Sequence, residues 1–328
     1  MGWDKQERTH LAALVVALLL GIGGHSHAAF AYSSVGDRFF PATILLPQIA
    51  PGDEFYTNVM TLPLASSGVG TPTPSGSSRL GTPVPLSPSG VGRPNRETDF
   101  DQVYAKTITD RFGIFVEETY TRIGQAGAGA LSGWQNLDLS AKYLTILQPP
   151  QEFLLTLGLD RELGDTGARR VGASRPGATT PQVFFGKGLG DLAIEYLRPV
   201  AVTGYAGYQA ADSRPRPDLA VGGLTLQYSI PYLQSKVQSF DLPDIIRSLT
   251  QMTEFVFSAP AGKSFDARTK ALFGPGVSYA GEGWELAVEA LVPMTRATGR
   301  GVGFTAQLHL SLDFLAPDTI GKPLFSSP

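Results

Sequence analysis

The chain has 328 residues and a formal net charge of −3, and only 17% of its residues are charged, below the roughly 25% of a typical soluble domain. This balance provides no overall positive field for binding nucleic acid. With 38 glycines, 25 prolines and no cysteine, the composition suits a chain with many turns. It excludes disulfides, thiolate metal sites, covalent haem attachment and a cysteine nucleophile.

Residues 1–31 have the features of a signal peptide. The apolar run Leu11–Ile22 follows Lys5 and Arg8, and it is shorter than the about 20 residues that span a bilayer. Ala29-Phe30-Ala31 then fits the small-x-small cleavage rule. The alternative is an uncleaved inner-membrane anchor. No other stretch could be a membrane helix, so further membrane embedding would require a closed barrel.

Two contrasting segments follow the leader. Residues 32–62 have a mixed character and are predicted to supply the first strand or strands, or else a plug. Residues 63–98 are rich in proline, glycine, serine and threonine and carry almost no charge. Such a segment cannot bury enough apolar area to offset the cost of ordering it, so we predict a disordered loop there.

Residues 99–316 contain strand-like blocks separated by turn residues. The clearest block is Gly303–Phe314, in which apolar and polar residues alternate throughout. Roughly ten residues of a tilted strand cross the apolar layer of a membrane. A soluble sandwich also alternates. The glycine-, serine- and threonine-rich polar side, together with aromatic residues near block ends, instead favours a transmembrane antiparallel β-barrel.

The barrel is expected to have about twelve strands. Ten blocks are convincing, one or two more lie before residue 63, and bacterial barrels carry an even number of strands. The pattern breaks near 164–200, where a strand around Gln182–Phe185 is one solution. Residues 240–251 resemble a short amphipathic helix in a loop, and 317–328 form a C-terminal tail.

Candidate lumen-lining residues lie on the polar sides of the blocks. They are Asp138, Lys142, Gln227, Glu285, Glu289, Gln307 and His309. A salt-bridge network inside the barrel is an equal alternative to a role in setting lumen charge. His309 is the one histidine beyond the leader, and no G-x-S-x-G elbow accompanies it. Glu285 and Glu289 are separated by roughly 13 Å of strand rise, too far for paired-carboxylate chemistry.

Other motifs do not support a catalytic, cofactor or metal site. The stretch Gly186–Asp191 lacks Walker spacing, and a strand-entry turn explains it better. Asp53-Glu54 has no following ladder of calcium ligands. We therefore predict that the protein is not an enzyme and has no cofactor.

Several phrases resemble a known family. They are RFFPAT, PGDEF, FGKGLGDL, YLRPVAVTGYAGY and the segment from PGVSYAGEGWELAVEAL to LDFLAP. They are similar to outer-membrane proteins of the phenol meta-cleavage pathway type, described as transporters. The resemblance implies a barrel of about twelve strands that passes small aromatic or hydrophobic compounds. It implies no catalytic residues.

Two functions remain open from the sequence. The first is an outer-membrane channel or transporter of a Gram-negative bacterium, which admits small solutes, hydrophobic or aromatic ones included, by passive diffusion. The second is a non-transporting barrel that serves as a structural or partner-binding component of an envelope complex. The expected partners are outer-membrane lipid, a small hydrophobic solute and an envelope protein, and nucleic acid is not expected.

Overall fold

The computed structural model describes residues 34–63, 93–214, 216–261, 268–299 and 301–325. The predicted signal peptide and most of the predicted disordered loop, residues 64–92, lie outside the described residues. Among the described residues, no helix is long and apolar enough to cross a membrane.

Twelve antiparallel strands form a closed barrel, as predicted. The strands are β1 Glu54–Pro63, β2 Arg93–Thr109, β3 Phe112–Ala126, β4 Leu137–Gln148, β5 Phe153–Leu163, β6 Ala178–Gly188, β7 Val200–Ala211, β8 Leu219–Ser229, β9 Leu249–Pro260, β10 Lys270–Ala280, β11 Trp284–Pro293 and β12 Gly303–Ser311. The short strand Leu131–Trp134 precedes β4 and pairs with the far part of β3. Pairing of β12 with β1 closes the wall, from Phe304 opposite Thr61 to Ser311 opposite Glu54.

The wall differs from its expected limits in three places. It includes β1 and the start of β2, so it reaches beyond residues 99–316. A full strand, β6, surrounds Gln182–Phe185, and residues 189–199 form a connection rather than a strand. Only Asp244–Arg247 of the predicted helix is helical, because Leu249 already pairs with Tyr279 in the sheet.

The two ends of the barrel differ in their connections. At the end where β1 begins and β12 ends, here called the terminal end, Asp110 and Arg111 alone join β2 to β3, and residues 281–283 join β10 to β11. Gly283 has a φ of +74°, which suits glycine in this turn. The opposite end, here called the loop end, has no connection shorter than the seven residues 212–218, although the terminal end also has two long connections, 189–199 and 230–248. Membrane barrels show this asymmetry, with short turns on the periplasmic side.

The wall is apolar outside and polar inside, the reverse of a soluble protein. Its exposed outer side chains include Tyr104, Ile114, Leu139, Leu157, Leu159, Leu224, Leu226, Leu286, Val288 and Phe304. Inner positions of the same strands hold buried acids, amides and threonines. An outward apolar band around a polar interior is the pattern of a transmembrane barrel.

The interior is occupied by residues 34–53, here called the plug segment. It begins as a small hairpin, Ser34–Val35 with Arg38–Phe39, at the terminal end. Every residue from Phe40 to Asp53 is then buried. The same N-terminal stretch thus supplies both an internal segment and, from Glu54 onward, a wall strand.

The C-terminal residues cover the terminal end of β2. After β12 the chain forms the short helix Leu312–Leu315. Further on, the backbone N–H groups of Leu324 and Phe325 donate to the carbonyls of Thr107 and Ile108. These strand positions extend beyond the pairing with β1, which ends at Ala105, so the tail covers an otherwise open edge.

Candidate functional site: the plugged lumen

The plug segment is anchored at the terminal end through Arg38. Its guanidinium is 1% exposed and forms an ion pair with Glu152 at 3.0 Å. The same group lies 3.7 Å from the centre of the Tyr232 ring and also donates to the carbonyls of Arg198 and Pro199. Three connections of the terminal end, 149–152, 189–199 and 230–248, therefore converge on one arginine of the plug segment.

Tyr232 completes this anchor. Its hydroxyl donates to Glu152 Oε1 at 2.7 Å. Burial and this hydrogen bond raise the pKa of Tyr232 to about 12. The phenol therefore keeps its proton, and its hydrogen bond to Glu152, well above neutral pH.

Two wall carboxylates hold the inner part of the plug segment by its backbone. Glu254 of β9 accepts hydrogen bonds from the N–H groups of Ile44, at 3.3 Å, and Leu45, at 2.5 Å. Glu285 of β11 accepts from the N–H of Ala42 at 3.0 Å. A segment without regular secondary structure has no internal partners for these donors, so the wall supplies them.

Apolar side chains seat the same part of the plug segment. Leu45 and Leu46 form a buried cluster with wall residues Met60, Leu62, Val256, Leu272 and Leu291. Glycines of the wall make room for them, since a Cβ at Gly274 would lie 2.8 Å from Leu45 Cδ1. At Gly186 a Cβ would lie 2.8 Å from Ile49 Cδ1. The glycines on these inner faces thus fit the plug segment as well as the barrel.

The returning part of the segment reaches β1 through further polar contacts. Lys142 Nζ donates to the carbonyl of Gln48 and lies 4.1 Å from the ring centre of Phe115. Asp53 accepts from Lys106 Nζ and from the backbone N–H of Thr107, the latter at 2.9 Å. The plug segment is therefore tied to the wall along its whole length.

All seven residues named from the sequence lie on the inner face of the wall and are buried. Lys142 and Glu285 bind the plug segment, as do Gln307, through the carbonyl of Thr43 at 3.1 Å, and Gln227, through the carbonyl of Pro41 at 3.5 Å.

For His309 and Asp138, the described neighbours belong to the wall. His309 lies 2.6 Å from Glu54 Oε2 and beside the Tyr56 ring. Asp138 of β4 lies opposite Glu117 of β3 on one side and opposite Glu162 of β5 on the other in the strand register.

Glu289 is buried beside the glycines of β10. Neither of its carboxylate oxygens has a hydrogen-bond partner. It lies within electrostatic range of Glu254, so acids of β9 and β11, on either side of β10, face the same part of the lumen.

Sequence reasoning did not identify Arg38, Glu152, Tyr232 or Glu254. Arg38 lies in a two-residue strand, and Glu152 and Tyr232 lie in connections, so no alternation marks them as inward. Glu254 lies in strand β9, where apolar residues occupy both faces: Met252 and Val256 point inward, and Phe255 points outward. The polar–apolar alternation is therefore weak. The outward position of the aromatic Phe255 would have indicated that its neighbour Glu254 points inward.

The inner face carries far more acidic than basic side chains among the described strands. The acids are Glu54, Glu97, Asp99, Asp101, Glu117, Asp138, Asp160, Glu162, Glu254, Glu285 and Glu289, against the cations Lys142 and Lys270. Within the described ranges, no group of three or more histidines and carboxylates is arranged to hold a metal ion.

No family model matches the chain, and no curated protein matches it. Among solved structures it is similar to an outer membrane channel from Pseudomonas putida F1, at 12% identity and a TM-score of 0.48, over 80% of this chain and 97% of that one. It is also similar to the KdgM porin, at 10% identity and a TM-score of 0.44, over 78% and 98% of the two chains. LpxR from Salmonella typhimurium matches with a TM-score of 0.38, at 10% identity over 78% of this chain and 99% of that one. The likeness is one of fold, at identities too low to indicate a shared function.

Proposed function

We propose that the protein is an outer-membrane channel for small solutes in which the plug segment is the gate. The observation that carries this proposal is how the segment is held. It lies in a polar lumen, and its backbone is bound by wall side chains: its N–H groups donate to Glu254 and Glu285, and its carbonyls accept from Lys142, Gln227 and Gln307. Such bonds can be exchanged for water when the segment moves, so a passage can open without unfolding the wall.

The solutes we propose are small and either neutral or cationic. The acid-rich inner face supports this choice, because carboxyl groups that ionise in a water-filled passage repel carboxylates and phosphates. The apolar residues that seat the plug segment, such as Leu272 and Leu291, would line part of an opened passage. Together with the sequence resemblance, this lining supports hydrophobic or aromatic solutes entering by passive diffusion.

Replacement of residues 40–50 by a glycine–serine linker of equal length tests the gate. The linker keeps the anchor at Arg38 and the connection to β1 but removes the seated part. We expect a large rise in ion conductance across planar bilayers and in uptake of a neutral aromatic solute by proteoliposomes. A linker of the same composition in place of the exposed residues 317–320 should leave both unchanged.

The alternative is a non-transporting barrel that works as a component of an envelope complex. Continuous burial of Phe40–Asp53 favours it, since a well-seated segment closes the lumen. The linker variant separates the two functions. If it assembles as a heat-modifiable barrel yet passes neither ions nor solute, the channel proposal fails and the alternative stands.

A further inference from the structure

The outer surface of β2 and β3 carries a row of aromatic residues near the loop end. Phe100, Tyr120 and Trp134 are neighbours in register across three strands. The Tyr120 and Trp134 rings pack edge to face with centroids 5.3 Å apart. Phe100 and Trp134 are 44% and 47% exposed on the outer face. Aromatic side chains in such a row mark the level of the membrane interface.

Arginines lie immediately beyond this row, further from the membrane centre. The next outward pair is Thr98 with Arg122, and the one after it is Arg96 with Gly124. Both arginines are exposed, and neither forms an ion pair with a described residue. On diagonal positions of adjacent strands their Cβ atoms are about 7 Å apart, close enough for both guanidinium groups to reach one anion.

Arg170, in the neighbouring connection, lies on the other face of the wall, because a Cβ at the inward-facing Gly133 would come within 3.5 Å of Arg170 Nη2. Arg170 Nε donates to the carbonyl of Ser132, the residue paired with Arg122. Arg96 and Arg122, here called the arginine arc, therefore stand on the outer wall just beyond the aromatic row.

A groove of about 510 Å³ lies within the arc, lined by Asn95, Arg96, Thr98, Arg122 and Gly124. Gly124 forms its floor, and a Cβ there would approach Asn95 Oδ1 to 2.8 Å. Asn95 is the extra residue of a β-bulge, which turns its side chain toward the groove. The groove therefore combines guanidinium, amide and hydroxyl groups on the outer wall of the barrel.

We propose that the arginine arc binds the phosphate of a phosphorylated glycolipid in the outer leaflet of the membrane. The occupant follows from position and charge. The arc lies at headgroup depth at the loop end, which is the external end because the tight turns 110–111, 149–152 and 281–283 all lie at the other end. Guanidinium groups bind phosphate bidentately, and the aromatic row below them contacts the acyl region of the same lipid. This site is independent of whether the lumen conducts.

The test measures lipid retention by the purified full chain in detergent, using native mass spectrometry. The probes are diphosphorylated lipid A, the same lipid after dephosphorylation, and inorganic phosphate. We expect the wild-type chain to retain the phosphorylated lipid with at least tenfold preference over the dephosphorylated one. Each lost charge-assisted contact should lower affinity about tenfold, so R96Q/R122Q should lose about a hundredfold.

The matched control is R111Q, which removes an exposed arginine from the terminal end and should not change retention. G124A keeps all charges but fills the groove, and it should weaken retention of the lipid while the barrel remains heat-modifiable. Wild-type retention by R96Q/R122Q, or equal retention of the dephosphorylated lipid, would overturn the proposal. Saturation by inorganic phosphate with lipid-like affinity would also overturn it, since it would identify a free-phosphate site.

Discussion

Glu254→Ala is expected to unseat the plug segment. The substitution removes the acceptor of two backbone N–H groups, those of Ile44 and Leu45, and both donors are buried. Leaving a buried donor without its acceptor costs about 1–3 kcal/mol, and the contact to Ile44, at 3.3 Å, lies at the weak end. A total of about 3 kcal/mol corresponds to a shift of roughly a hundredfold in the seating equilibrium.

Single-channel recording of the refolded chain measures this shift directly. We expect the open probability of the alanine variant to rise by one to two orders of magnitude above that of the wild type, in keeping with the free energy above. Glu254→Gln keeps one carbonyl acceptor and should show a smaller rise. Glu118→Gln is the matched control, because Glu118 is exposed on the outer face and has no contact with the plug segment. An unchanged open probability in a correctly assembled alanine variant would refute the role assigned to this carboxylate.

Three further outcomes follow from the terminal end. Arg38→Ala should lower the melting temperature through a loss of about 3 kcal/mol, since Glu152 would stay buried without its cation, and circular dichroism against Arg38→Lys checks this. Because the pKa of Tyr232 is raised to about 12, the folded state favours the protonated phenol. The free energy of unfolding should therefore fall as pH rises from 10 to 12, and Tyr232→Phe should flatten that slope. Burial and the nearby charge of Asp53 raise the pKa of Asp313 to about 7, so the free energy of unfolding should fall as pH rises from 4 to 7. Asp313→Asn should remove this last dependence in thermal melts, and an unchanged slope would contradict it.

The barrel was predictable because its strands must alternate. A strand with lipid outside and polar groups inside repeats every two residues, and β12 does so from Phe304 to Leu310. Strand β6 was nearly missed for a physical reason: Pro181 lies within it, and proline usually argues against an interior strand. The number of strands could still be predicted, because a closed barrel has no edge strand and bacterial barrels have an even number of strands.

The contents of the lumen could be predicted only in part. Periodicity identifies which face of a strand is polar, and so it named Glu285 and Gln307. It cannot identify what those side chains contact. The segment from Phe40 to Asp53 shows no regular alternation of polar and apolar residues, because wall side chains and not a neighbouring strand bind its backbone. The sequence alone therefore left a plug and a strand as equal choices, and the structure contains both.

The position of the plug segment ahead of the first strand links barrel closure to plug seating. Ala42 binds Glu285 across 243 residues, and Thr43 binds Gln307 across 264. The contact between Glu54 and His309 at the closing seam spans 255 residues. Both sets of contacts join the two extremes of the chain, and contacts of such high sequence separation form only when the whole polypeptide is present. A chain truncated before β12 can neither complete its circumference nor make the Thr43–Gln307 contact, so completion of translation and export is a precondition for both.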